Sequence, residues 1–414
     1  MELDPKTKTF STNGPLILLV IVILIAILIR AGICFIYPNM PVSTDWQNVY
    51  HPSAVALFHG QGLKISNSAM NGSPIYVSFL SLFYLIFGPG IIAMRISQIA
   101  LEGLVVFFLF ILGNQVFNSR VGLLAALGYA IYPPAIYMTG LGQPEVTLAV
   151  FLILLILIWN YADTSNSHFA YAGVGILLGA VLLIKPNYYG FLPFWVMVEI
   201  LRFGKNCKRN LFRMSIALAT AFMVVSPWFL IRTGGDHTRT KSNLYANIIY
   251  SGSRLRPTLS DGSLMPLREF YKNQMRILEN QTGGAPITTL IALRATFENY
   301  TKLIRPNPIR LFDFIIHKFS QIWYATDTGT ADKFFRYFQI PFVIAGIGGW
   351  IVAFQKPEDR AKQWPLFLIL SYTILALMLI TPLFREILPV MPIAFIYIAC
   401  AFDYIVFKKK LCNG

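Results

Sequence analysis

The chain has 414 residues, of which 56% are hydrophobic, 14% aromatic and only 13% charged, and it carries a formal net charge of +15. Soluble globular domains carry about a quarter charged residues, so a water-soluble fold is excluded and a chain built largely within a bilayer is indicated. The basic residues fall in short loops between apolar runs rather than along a basic stripe interleaved with aromatics, which argues against a nucleic-acid partner.

Runs long enough to cross a hydrocarbon core of about 30 Å as a helix are predicted at 15–36, 92–113, 121–138, 145–161, 169–184, 188–203, 214–231, 337–354, 365–381 and 387–406. Backbone polar groups in lipid must be satisfied within the segment, so these runs are helical. The expected fold class is an all-α polytopic membrane protein with about ten transmembrane helices, amphipathic outer juxtamembrane helices and a small outer domain. The first run is too long for a signal-peptide core and lacks a small-residue cleavage site, so it is read as a retained helix. The apolar stretch from Pro74 to Phe87 is short, bounded by Gly72 and by Gly88-Pro89-Gly90, and suits an interfacial or re-entrant helix. With that stretch not spanning, Lys6, Lys8, Arg120, the cluster from Arg202 to Arg213 and the basic residues at 356–362 and 408–410 share one side. That asymmetry makes the shared side cytoplasmic and puts both termini there. The chain then divides into a membrane catalytic module (1–231, with a first outer loop at 37–91), an outer domain (232–336) and C-terminal transmembrane helices (337–414). Cys34, Cys207, Cys400 and Cys412 have neither metal-site spacing nor an evident disulfide pairing.

A few charged residues stand where the topology signal disfavours them. Asp45 follows the first helix, ahead of an amphipathic stretch at 47–59. It reads either as a helix cap or as a general base at the membrane surface. His51 is a second possible base or a structural histidine, and Tyr50 lies beside it. Glu145 opens the fourth predicted helix on the same side, where an acid complements the helix dipole or shares a cavity with Asp45. Lys185, in LLIKPNYYG, and Arg385, in TPLFREILPVMP, are isolated outer cations. They are suited to snorkelling or to gripping a lipid phosphate through charge-assisted hydrogen bonds, and Arg95 is a third such cation. Glu102, mid-run in its helix, marks a cavity, a partner or an ion path.

The order of short motifs is similar to a known group. Asp45 is followed by Gly60-Gln61-Gly62, Gly72-Ser73-Pro74-Ile75-Tyr76, Phe87-Gly88, Arg95, Val116-Phe117-Asn118-Ser119-Arg120-Val121-Gly122, Tyr132-Pro133 and Glu145. Later come Leu183-Ile184-Lys185-Pro186, Ser226-Pro227-Trp228 with Arg232, and the stretch from Arg385 to Pro392. Over residues 15–406 the chain resembles the bacterial branch of the dolichyl-phosphate-mannose protein mannosyltransferase and aminoarabinose transferase group, which are GT-C type membrane glycosyltransferases. Trp46 stands where relatives often carry a second acid or Ser, and Glu386 replaces a Tyr of the last motif.

The resemblance implies an inverting glycosyltransferase of the cell envelope. A hexosyl or pentosyl group would pass from a polyprenyl-phosphate donor to a hydroxyl of a glycan, lipid or protein acceptor on the outer membrane face. It implies Asp45 as catalytic base, Glu145, Tyr50 and His51 as acceptor- or sugar-binding residues, and Lys185, Arg385 and Arg95 as donor-phosphate ligands. No cofactor and no metal-binding residue is expected, with a loosely held divalent cation left open. The competing readings are a transporter or flippase of lipid-linked glycans with Glu102 in its path, and a non-catalytic envelope assembly protein in which Asp45 only caps a helix.

Overall fold

A computed structural model describes residues 14–63, 73–202, 207–232, 309–326, 332–355, 360–379 and 382–408, with isolated positions between 269 and 305. Among these residues every regular element is helical. Most of the expected outer domain at 232–336 lies outside the described residues. Helix α1 spans Gly14–Ile36. A π-helical turn at Trp46–Tyr50 leads into α2, His51–Phe58. Helix α3 is Pro74–Phe87, as its flanking Pro and glycines predict. Next come α4 (Ile91–Val116), α5 (Ser119–Ala130), α6 (Pro133–Met138), α7 (Glu145–Ser165), α8 (His168–Ile184), α9 (Phe191–Arg202) and α10 (Cys207–Arg232). The amphipathic α11 (Ile309–Gln321), α12 (Asp332–Phe354), α13 (Arg360–Leu379) and, after a short helix at Phe384–Ile387, α14 (Met391–Asp403) complete the chain.

Seven described helices are long and apolar enough to cross a membrane, where about ten were expected. The protein is thus a multi-pass integral membrane protein, and three of the expected spans are corrected to shorter elements. The run at 121–138 breaks at Pro133-Pro134: Tyr132 is extended (φ −72°, ψ 111°), as the ring of a following proline requires. That leaves α5 with 12 residues, about 18 Å of helix. The run at 188–203 starts with a 3₁₀ turn, Pro186–Gly190, and its helix is also 12 residues. Helix α8, with 17 residues, falls just below spanning length.

Helices α1, α4, α5, α12 and α14 pack as one group, and α7, α8 and α10 as another, joined through α4 and α7. The α8–α10 contact is close because Gly175 and Gly179 face it. A Cβ at Gly175 would lie 2.1 Å from the Ala217 carbonyl oxygen, and one at Gly179 2.9 Å from that of Ala221. Small residues one turn apart let helix backbones approach where lipid supplies no hydrophobic drive. Mid-bundle, Arg30 and Glu102 are fully buried and paired at 3.0 Å, and Arg30 Nη1 also donates to the Ala130 carbonyl at 2.8 Å. Glu102 is therefore an ion-pair partner joining α1, α4 and the end of α5. The chain's alternation of direction brings the end of α1, the starts of α4 and α7, the end of α8 and the start of α14 to one end of the bundle.

Candidate active site

That end holds the charged residues singled out above. The first loop is tied down by its own backbone: Ser43 N–H donates to the Leu141 carbonyl at 3.0 Å. The Trp46 amide, which a cap must satisfy, donates to Ser43 Oγ at 3.0 Å, and Asp45 makes no capping hydrogen bond. The Asp45 carboxylate, 45% exposed, instead faces Arg385 Nη1 at 3.5 Å and accepts from Gln143 Nε2 at 3.4 Å. Trp46 is buried against Gly142, whose φ of +71° only glycine adopts readily. A methyl group there would fall 2.7 Å from Trp46 Cδ1.

From Arg385 the charges run inward. Its Nε lies 3.7 Å from Glu386 Oε1, which accepts from Lys185 Nζ at 3.0 Å, and Lys185 Nζ donates to Glu145 Oε1 at 2.7 Å. Asn187 Nδ2 donates to Glu386 Oε2 at 3.4 Å. Asp45, Glu145, Lys185 and Arg385, from four separate segments, thus join one network, with Glu386 at its centre. Burial works against the Lys185 ammonium, but the carboxylates of Glu145 and Glu386 outweigh it and raise the pKa above the ordinary lysine range. Glu145 is 2% exposed, whereas the Arg385 and Asp45 side chains are 30% and 45% exposed and form the more accessible part of the network.

The remaining predicted residues take other places. His51 stacks on Trp46 with ring centroids 4.6 Å apart, and its Nδ1 lies 2.7 Å from the Tyr84 hydroxyl. Burial lowers its pKa, so the ring is neutral near pH 7. Tyr50 is buried edge-on against Tyr76 at 5.2 Å, and burial raises its pKa. Arg95 does not join the network: its guanidinium donates to the carbonyls of Pro38 at 3.0 Å and Met40 at 3.1 Å. Those bonds clamp the chain leaving α1. Glu386, which the sequence shows only as a departure from the last motif, and Gln143 are not among the site residues read from sequence. A Glu beside an Arg carries no isolated-charge signal, and a neutral amide carries none at all. A cavity of about 600 Å³ opens between Trp46, His51, Gly88, Ile91 and Ile92, and Asp45 is not among the residues that line it. Among the described residues no three His, Cys, Asp or Glu side chains are grouped to hold a metal ion.

Comparison with known proteins finds one family model that matches part of the chain and solved membrane enzymes of similar fold. The family model of dolichyl-phosphate-mannose-protein mannosyltransferase matches residues 71–231, the part that carries Glu145 and Lys185. No curated protein matches the chain. The Archaeoglobus fulgidus oligosaccharyltransferase tethered with an acceptor peptide containing the NVT sequon superposes with a TM-score of 0.52 at 16% identity, over 98% of this chain and 51% of that one. The oligosaccharyltransferase AglB from the same organism, in complex with an inhibitory peptide and a dolichol-phosphate, gives 0.52 at 14% identity, over 96% and 51%. The chain spans about half the length of these structures, and the likeness is one of fold.

Proposed function

We propose that the protein is an inverting glycosyltransferase that moves a sugar from a polyprenyl-phosphate donor to an acceptor hydroxyl at the outer membrane face. The observation that carries this reading is the convergence of Asp45, Arg385, Glu386, Lys185 and Glu145 into one network at one end of an apolar bundle. A greasy donor with an anionic head and a polar acceptor both reach such a place, and the charge asymmetry of the loops assigns it to the outer side. Arg385 is the group that meets the donor phosphate first: its 3.5 Å pairing with Asp45 is loose, and a phosphate offers a stronger charge-assisted partner. Capture of the phosphate then releases the Asp45 carboxylate for catalysis.

Asp45 takes the acceptor hydroxyl proton as the oxygen bonds to the anomeric carbon. The bond from that carbon to the phosphate oxygen breaks, its electron pair leaving on the lipid phosphate monoester. Arg385, with Lys185 behind it, stabilises the charge gained by the leaving group, as preorganised charges do. Glu386 and Glu145 keep Lys185 protonated and aimed. The sugar is a hexose or pentose, the acceptor a glycan, lipid or protein, and the cation role falls on these side chains rather than on a metal.

The test is single-turnover sugar release from a panel of radiolabelled polyprenyl-phosphate sugars, supplied with glycan, lipid and peptide acceptors, comparing wild type with Asp45→Asn. Wild type consumes one donor, and Asp45→Asn binds it equally but turns over about 10²–10⁴-fold more slowly, the usual worth of general-base help. A wild-type rate in Asp45→Asn, or no donor bound by the wild type, overturns the reading.

A further inference from the structure

Pro144 has no N–H to give, and its ring confines the backbone of the residue before it. The loop Gly140-Leu141-Gly142-Gln143 therefore enters α7 along a narrow path, and three ties from other segments fix that path. The Ser43 N–H donates to the Leu141 carbonyl at 3.0 Å, the Trp46 ring packs against Gly142, and Gln98 Nε2 donates to the Gln143 carbonyl at 3.2 Å. Gln98 belongs to α4 and is fully buried, and its Nε2 also donates to the Tyr76 hydroxyl of α3 at 3.1 Å. A carbonyl only accepts, so the nitrogen end of the Gln98 amide is the end that faces it. Gln143, 3% exposed, thus extends its side chain from a backbone held by three partners, and its Nε2 lies 3.4 Å from Asp45 Oδ2. An ionised carboxylate likewise only accepts, which fixes the orientation of this second amide.

Arg385 Nη1 reaches the same oxygen, Oδ2, at 3.5 Å. Among the described residues no donor is placed on Oδ1, and the Asp45 side chain is 45% exposed. The two oxygens of the carboxylate are therefore unequal: one is anchored and the other is open. The two anchors also differ in kind. Arg385 carries a charge that a phosphate would claim, whereas the Gln143 amide is neutral and has a weaker pull on an anion. A neutral donor also leaves a carboxylate more of its basicity than a cation at the same distance does. Both contacts are long, and catalytic hydrogen bonds often tighten only in the complex with substrate.

We propose that Gln143 is the positioning residue for the base, holding Oδ2 of Asp45 so that Oδ1 faces the acceptor. The inference rests on Asp45 acting as the base in the sugar transfer described above. When Arg385 turns to the donor phosphate, the Gln143 amide keeps Oδ2 in place. The acceptor O–H proton passes to Oδ1 while its oxygen bonds to the anomeric carbon. The electron pair of the breaking carbon–oxygen bond leaves on the lipid phosphate. Gln98 acts one step further back, by fixing the carbonyl of the residue whose amide does the holding.

The test uses the detergent-purified full chain and the radiolabelled polyprenyl-phosphate sugar that the wild type consumes from the panel above, with single-turnover rates measured across donor concentrations. Gln143→Met keeps much of the side chain's length and removes its donor. It should lower the saturated rate about ten- to a hundredfold, the worth of a hydrogen bond to a charged group, and leave the half-saturating donor concentration unchanged. In the Asp45→Asn background there is no carboxylate to position, so the same substitution should change the residual rate by no more than about twofold. Gln98→Met removes the backbone tie and should act in the same direction with a smaller loss, which keeps the test open if Gln143→Met folds poorly. A wild-type rate in folded Gln143→Met, with Asp45→Asn still slow, overturns the positioning role alone. So does an equal loss in the Asp45→Asn background, or a raised half-saturating concentration at an unchanged rate, since the amide would then serve the fold or the donor rather than Asp45. Asp45→Asn as fast as the wild type overturns the base assignment, and the role of Gln143 falls with it.

Discussion

Lys185 is held between two carboxylates, Glu145 at 2.7 Å and Glu386 at 3.0 Å, so its removal does more than delete a phosphate ligand. Lys185→Met leaves two largely buried carboxylates facing each other without their cation, and breaking a buried pair in this way costs about 3–5 kcal/mol. The variant should therefore unfold at markedly lower temperature, and Lys185→Met with Glu145→Gln and Glu386→Gln should recover most of the loss. Equal destabilisation of the single and triple variants in a thermal melt would refute the pairing. Because the folded Lys185 pKa is raised, its contribution is complete below about 10.5 and fades only as pH climbs through the folded value. His51 has the opposite sign: burial lowers its pKa, so the stability tied to the neutral ring is present above about 6.5 and lost as pH falls below it. His51→Gln, which keeps a partner for the Tyr84 hydroxyl, should melt with a flatter pH profile on the acid side, and parallel profiles would count against this account. The residues legible in advance were those whose charge is isolated at the end of an apolar run, namely Asp45, Glu145, Lys185 and Arg385. Arg95 sends the same signal from another place, since a clamp on the carbonyls of Pro38 and Met40 also uses a lone buried cation. Glu386 and Gln143 became visible only through their distances to neighbours far away in sequence.

Elements set where those side chains meet. Helix α3 was readable to the residue because Pro74 and Gly88 punctuate it, whereas the break between α5 and α6 was passed over because the apolar run continues straight through Pro133-Pro134. Hydropathy records burial, and a kink leaves it unchanged. The loop GLGQPEV does the positioning: its Gly142 accepts the Trp46 ring, and Trp46 follows Asp45 directly. Gly142→Ala meets two penalties, a left-handed backbone costing about 1–2 kcal/mol for an alanine and a methyl group driven into the indole. Displacing a reacting group by about 1 Å can cost 10²-fold in rate, so turnover should fall by up to about that factor with donor affinity kept. Gly62→Ala is the control, since Gly62 has a φ of +74° but open space around it. It should share the backbone strain and retain turnover. Similar losses of turnover in both variants would show that strain, not the Trp46 contact, governs the rate.

For the whole molecule, the centre of the bundle decides between a transferase and a conduit. A conduit needs polar residues that meet water or cargo at mid-depth, and Glu102 was the residue that suggested one. In the folded chain it is fully buried beside Arg30, which also holds the Ala130 carbonyl where α5 ends. Three elements are thereby registered against one another at a depth where an unpaired charge is expensive. If the pair is only a pin, Arg30→Met and Glu102→Leu should each destabilise by about 3–5 kcal/mol by stranding the other charge. The double variant should lose far less than the sum, because neither charge remains, and the coupling energy read from the cycle should reach about 0.5–3 kcal/mol. The folded double variant should also turn over donor at the wild-type rate, since the reacting groups lie at the end of the bundle rather than at Glu102. A double variant that melts like wild type yet loses turnover would mean that Glu102 acts on substrate after all, and the conduit would then be the better description of this fold.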